Sequence, residues 1–237
     1  MRAEIVEADF EGDFVYSLRK IYVMKKIYLI ALLFLSFIYA CKKEETKEKD
    51  PDPIPADTTP KESIIEIKTS FGTMYMWLYK QTPLHRANFL ALADTGYFDG
   101  MTFHRIVKDF VVQGGDPNSK DADPLNDGSG GPGYTIPAEF VDSLKHDYGA
   151  IGAARTNNPA KASSGSQFYI VTDVNGEHGL DMGYTVFGKL LSGVDIAYTI
   201  STQSKDSKDR PITNITMDVN VVKKTLAQLK SEFNFTP

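Results

Sequence analysis

Between Phe103 and Asp116 the chain reads Phe-His-Arg-Ile-Val-Lys-Asp-Phe-Val-Val-Gln-Gly-Gly-Asp, which gathers a guanidinium (Arg105), a carboxamide (Gln113) and two aromatic rings into one short segment. Arginine stays protonated at any working pH, so what it offers is a fixed positive donor rather than an acid or a base. A glutamine both donates and accepts, so it can orient a bound amide. Read as pattern alone, the segment is a hairpin. Phe103, Arg105 and Val107 share one face, His104 and Ile106 the other, Lys108-Asp109 makes the turn, and Gly114-Gly115 ends the second strand with backbone freedom.

The surrounding elements are those of a β-rich domain. Apolar runs over residues 64–68 and 74–78, separated by Ser70-Phe71-Gly72, predict two strands around a glycine turn. Thr82 followed by Pro83 reads as a helix start; Leu84, Ala87, Leu90 and Ala91 recur at helical spacing, and Gly96 suits the exit. A second short helix is expected over 194–200. Ile215, Met217, Val219 and Val221 alternate with polar residues as a late strand, and Leu226, Leu229 and Phe233 predict a C-terminal helix. There is no internal repeat.

Composition bounds the rest. With 237 residues, 42% of them hydrophobic and 24% charged, the chain has material for one ordinary domain plus appendages. A formal charge of -5 argues against a dedicated nucleic-acid binder. The one cysteine, Cys41, excludes an intramolecular disulfide and follows directly on an apolar run, residues 27–40. That run is short for a bilayer span, but with Met24-Lys25-Lys26 before it and Ala40 at its end it has the form of a signal peptide. Residues 24–40 resemble a bacterial lipoprotein signal, which would make Cys41 the lipidated mature N-terminus, held at a membrane by its acyl chains. The other reading is a short anchor helix with an incidental cysteine. Acidic Glu4, Glu7, Asp9, Glu11 and Asp13 do not suit the stretch before such a signal, so residues 1–23 read as a mis-assigned upstream extension with translation starting at Met24; a long n-region is the alternative. Residues 41–62, charged and then proline-rich, are expected to be a disordered, solvated tether.

The 103–116 segment closely resembles the Phe-His-Arg and Phe-x-x-Gln-Gly-Gly-Asp core of the cyclophilins, which are peptidyl-prolyl cis/trans isomerases. Gly165-Ser166-Gln167-Phe168-Tyr169-Ile170, Tyr184-Thr185-Val186-Phe187-Gly188-Lys189 and Asn88-Phe89-Leu90 with Gly96-Tyr97-Phe98-Asp99-Gly100 resemble further blocks of that family, in family order. The resemblance implies a mainly β fold over residues 63–223: a closed eight-stranded antiparallel barrel capped by two helices, followed by a helical tail, 224–237. It also implies roles. Arg105, Phe110 and Gln113 would be catalytic; His104, Val111, Ala154, Arg155, Thr156, Gln167, Tyr169, Leu180 and Tyr184 would bind the substrate. The partners would be proline-containing segments of client proteins, taken by a monomer without cofactor or metal.

Several positions depart from the family's commonest pattern. Val111 stands for methionine, Tyr169 for phenylalanine, Tyr184 for histidine and Arg155 for asparagine, and Glu177-His178-Gly179-Leu180-Asp181 lacks the family's tryptophan, which predicts weak cyclosporin binding. Other motifs carry less. Asp121, Asp123, Asn126 and Asp127 do not follow the order of a calcium loop, residues 128–133 lack the Gly-Lys-Ser/Thr ending of a phosphate loop, and His85, His104, His146 and His178 show no short ligand spacing. The leading expectation is a lipid-anchored isomerase assisting protein folding in the bacterial cell envelope. Its rivals are a proline-peptide binding or chaperone module with little turnover, and a structural envelope lipoprotein.

Overall fold

The computed structural model describes residues 59–237, together with Met24. The expectations for the signal segment, for Cys41 and for most of the tether lie outside the described residues. β1 (Lys61–Thr69) and β2 (Gly72–Leu78) form the hairpin that the apolar alternation predicts, with Ile65 opposite Met76 and Thr69 opposite Gly72. Ile65, Ile67, Met74, Met76 and Leu78 turn into the interior cluster and have no exposed surface. Each such side chain contributes about 1.5–3 kcal/mol by leaving water.

The sheet continues on one side through β11 (Thr216–Thr225) to β3 (Met101–Thr102). On the other it passes through β10 (Val186–Ser192), β7 (Ala150–Ala153), β9 (Phe168–Val171) and β5 (Val111–Gly114) to β4 (Arg105–Val107). All its pairings are antiparallel. A separate two-stranded ladder joins β6 (Thr135–Ile136) to β8 (Ser163–Ser164). The closed eight-stranded barrel expected from the resemblance is corrected to a curled nine-stranded sheet with its ladder open between β3 and β4. Those strands are consecutive in the chain, joined by Phe103-His104, but they do not pair with each other. The backbone donors at this edge go instead to the segment preceding and entering β11: Phe103 N–H to the Ile215 carbonyl at 2.9 Å and Ile106 N–H to that of Asp209 at 2.8 Å. Phe103 is therefore no part of β4. It is buried in the interior with Ile106, while Arg105 and Val107 stay half-buried, so the expected Phe103–Arg105–Val107 face is not formed.

Three α-helices complete the fold among the described residues, the two expected over the ends of the sheet and the one expected in the C-terminal tail. α1 (Pro83–Asp94) buries Phe89 and Ala93, with Phe89 stacked on Phe98 at 4.6 Å and edge-on to Phe168 at 5.4 Å. Thr82 stands at its N-terminus but makes no cap with its side chain. Glu139, far along the chain, does so instead: its carboxylate accepts from the backbone N–H groups of Leu84 at 3.0 Å and His85 at 2.9 Å. A carboxylate there also meets the positive end of the helix dipole. α2 (Val194–Ser201) adds Ala197 and Ile200 to the interior. α3 (Leu226–Phe233) opens with a reciprocal Thr225–Gln228 capping box. It covers the outer face, so Ile64 and Trp77, which alternate out of the interior, are buried against Leu229, with Phe235 on Trp77 at 5.2 Å.

Candidate active site

β4 and β5 pair so that Arg105 lies directly opposite Gln113, and Lys108-Asp109-Phe110 turns between them with Asp109 at φ 54°. The turn brings the Phe110 ring under the Arg105 guanidinium, 5.6 Å from ring centre to Cζ. Asp209 holds the guanidinium from the other side at 3.6 Å. Gly115 makes the exit from β5 possible: it has φ +86°, and a Cβ there would come within 2.2 Å of the Ser166 carbonyl oxygen.

Beside Arg105 opens a cavity of about 140 Å³. Pockets for drug-sized ligands run to about 300–1,000 Å³, so this one takes a single small side chain. Arg105, Phe110, Val111, Gln113, Ala154, Arg155, Tyr169, Leu180 and Tyr184 line it, nine positions of the predicted site brought together from five separate stretches of chain. Thr156 and Gln167 lie outside it. They line a wider neighbouring groove of about 860 Å³ that shares Gln113, Ala154 and Arg155 with the first. Gln113 is oriented by donating to the Gln167 side-chain oxygen at 3.0 Å, while Gln167 donates to the carbonyls of Gly128 and Gly130. His104 lines neither. It is 5% exposed, borders a third cavity of about 370 Å³ with Arg105 and Gln113, and burial holds its imidazole below the ordinary range.

The floor of the small cavity is polar underneath. Tyr169, 4% exposed, places its hydroxyl 2.8 Å from His146 Nε2, and His146 Nδ1 lies 2.8 Å from Asp181. Burial pushes the His146 ring below its usual range despite the carboxylate. Partial burial works to raise the Asp181 carboxyl, but hydrogen bonds from the His146 ring and backbone and from His178 outweigh it and hold the group low. A neutral imidazole beside an ionised carboxylate fixes the tautomer: Nδ1–H donates to Asp181, and Nε2 accepts from the Tyr169 hydroxyl. The hydroxyl fits because position 152 is glycine; a Cβ there would fall 2.2 Å from the Tyr169 ring. Burial raises the phenol's pKa, so it stays protonated.

A sequence model of the family described as cyclophilin type peptidyl-prolyl cis-trans isomerase/CLD matches residues 64–221. The chain belongs to the cyclophilin-type peptidyl-prolyl cis-trans isomerases. It is 38% identical over 165 residues to peptidyl-prolyl cis-trans isomerase 10 of Caenorhabditis elegans, covering 66% of this chain and 96% of that one. With peptidyl-prolyl cis-trans isomerase CYP18-2 of Arabidopsis thaliana it shares 35% identity over 153 residues, 62% of this chain and 86% of the relative. It spans only 27% of the Rhizopus delemar peptidyl-prolyl cis-trans isomerase-like 2, to which it is 38% identical over 157 residues, 64% of this chain. A crystal structure of a Cryptosporidium parvum cyclophilin type isomerase, solved in the presence of the dipeptide Ala-Pro, superposes with a TM-score of 0.60 at 30% identity, covering 68% of this chain and 99% of that one.

Within this cyclophilin, two features of the site escape sequence reasoning. His146 and Gly152, which help hold Tyr169 in place, belong to none of the motifs read from the sequence, and Asp181, though part of the Glu177–Asp181 segment, has no partner that its spacing marks. Arg155 stacks over Tyr184 at 4.4 Å and donates to the Gly183 carbonyl at 3.0 Å, tying two walls of the cavity together. At the segment lacking tryptophan, His178–Leu180 forms a 3-10 turn; Leu180 reaches the cavity, whereas His178 and Gly179 do not line it. Among the described residues, no group of three or more His, Cys, Asp and Glu could hold a metal ion, and no helix is long and apolar enough to cross a membrane.

Proposed function

We propose that this cyclophilin seats the proline of an X-Pro bond in the small cavity and lowers the barrier to rotation with Arg105. Rotating the bond breaks amide resonance at a cost of about 18–20 kcal/mol. As the amide twists, the proline nitrogen pyramidalises and gains a lone pair. A permanently protonated guanidinium facing that nitrogen stabilises the twisted state more than the planar one, which is what accelerates exchange. Acceleration by about five decades needs roughly 7 kcal/mol of such differential stabilisation. No nucleophile enters and no covalent bond is made. Phe110, Val111, Tyr169, Leu180 and Tyr184 hold the ring, and Gln113 and the backbone around Ala154, Arg155 and Thr156 orient the chain beside it, with Gln167 steadying Gln113 and His104 bordering the groove. The observation that carries the reading is the Arg105 guanidinium set against Phe110 at the lip of a cavity sized for one ring, with Val111, Leu180 and the Tyr169 and Tyr184 rings in its wall.

The clients in this reading are proteins folding in a bacterial cell envelope, where lipid on Cys41 would tether a monomeric domain. The signal-like run ending at Ala40-Cys41 and the charged, proline-rich stretch after it support that placement. Two experiments test the two halves. In a protease-coupled X-Pro peptide assay, the wild type should accelerate isomerisation and Phe110→Ala should raise KM; tight peptide binding without acceleration would favour the binding-module reading. Metabolic labelling with a radioactive fatty acid should mark the wild type and spare Cys41→Ser, and equal labelling of both would contradict the anchor.

A further inference from the structure

Four arginines lie among the described residues, and three of them face a carboxylate. Arg210 meets Asp127 at 2.6 Å, Arg105 meets Asp209 at 3.6 Å and Arg86 meets Glu62 at 4.0 Å. Arg155 has no such partner among the described residues. Its hydrogen bonds go to neutral backbone oxygens, Gly183 at 3.0 Å from Nε and Thr156 at 3.2 Å from Nη1, and its flat face lies on Tyr184 at 4.4 Å. Three contacts thus hold the head group, yet its charge is unopposed.

Its position gives that charge a use. Arg155 lines both the small cavity and the wider groove, at the junction where a bound chain passes from one to the other. No carboxylate lines either space, and the only other charged side chain in them is Arg105. A guanidinium already fixed by backbone contacts and stacking loses little further freedom on pairing with a carboxylate. A basic residue at the same place in a client would instead meet a like charge.

We propose that Arg155 is a specificity-determining residue that favours client segments with an acidic side chain within two residues of the proline. This rests on the reading that the proline enters the small cavity. The test uses peptides with one X-Pro bond and Glu, Gln or Lys placed in turn at the two positions before and the two positions after the proline. For each, kcat/KM is measured by exchange NMR at low and at high salt, with circular dichroism to check folding of the variants.

Partly exposed ion pairs of this kind are each worth about a fivefold preference at most. The expected result is that Glu exceeds Gln about three- to fivefold at one position, that Lys falls below Gln there, and that salt shrinks the spread. Arg155→Gln should bring the Glu-to-Gln ratio to about one, and Arg155→Lys should restore part of it. Equal acceleration of Glu, Gln and Lys peptides at every position would overturn the inference while leaving the isomerase site intact, as would a preference that survives in Arg155→Gln. Absence of acceleration for every peptide would overturn the site reading and this inference with it.

Discussion

Replacing Tyr169 by phenylalanine removes one oxygen from beneath the small cavity and should cost stability out of proportion to its size. The ring itself stays packed, parallel to His146 at 5.9 Å and edge-on to Tyr184 at 6.1 Å. What changes is His146, which has no exposed surface and whose Nδ1–H is already committed to Asp181 at 2.8 Å. Its Nε2 would be left as a buried acceptor without a donor, which costs about 1–3 kcal/mol. For a domain of this size each kcal/mol moves Tm by roughly 2–4 °C, so a loss near 2 kcal/mol predicts a drop of about 4–8 °C. The assay is thermal and urea unfolding of both proteins at pH 7.5, with X-Pro exchange measured alongside. Because phenylalanine preserves the apolar wall, isomerisation at 25 °C should fall by less than about threefold. A Tm within 1 °C of the wild type would refute the hydrogen-bond chain as described.

Acid should destabilise the protein in two stages. His85, His104 and His146 are held below the imidazole range, in each case chiefly by burial, so below about pH 6.5 the unfolded chain binds more protons than the folded one and stability is lost as pH falls. Glu139 and Asp181 are held low by their hydrogen bonds against the opposing effect of burial, so the stability they contribute is present above about pH 4.5 and goes as pH drops through their folded values. The urea midpoint should be level from pH 8 to 7 and decline from about 6.5; a flat profile down to pH 5 would contradict the buried neutral histidines. Glu139→Gln should destabilise by about 1–2 kcal/mol in urea unfolding, since it weakens the charged acceptor at the start of α1. Phe235→Ala uncovers Trp77, the chain's one tryptophan, so its emission should shift to the red while exchange activity is retained.

Periodicity made much of the sheet legible. The alternation over 64–78 and 215–221 places β1, β2 and β11, and the Phe-His-Arg and Gln-Gly-Gly-Asp motifs locate the strand pair that carries Arg105 and Gln113. Family resemblance added residues that no local pattern marks, and the structure sets Ala154, Leu180 and Tyr184 around the same cavity. What stayed hidden depends on contacts across long stretches of chain. The cap of α1 comes from Glu139, 55 residues from Leu84 in sequence, so Thr82 looked like the natural cap. The open ladder at Phe103-His104 turns on where backbone donors find acceptors, and side-chain alternation does not record that. Strands as short as β6 and β8 have no period to read. Arg155 was visible as an unusual residue, but its unpaired charge emerges only once every nearby carboxylate is placed.

The most direct test of the account is exchange NMR on an X-Pro peptide with wild type and Arg105→Ala side by side. Asp209 is also engaged by Lys205 at 2.7 Å, so losing Arg105 leaves no carboxylate stranded and the variant should fold. A charge-assisted donor of this kind is worth about 1.5–3 kcal/mol, and more when aimed at charge that develops in the transition state, so kcat/KM should fall about a hundredfold with the unfolding midpoint little changed. Exchange in the folded variant as fast as in the wild type would contradict the central role given to Arg105.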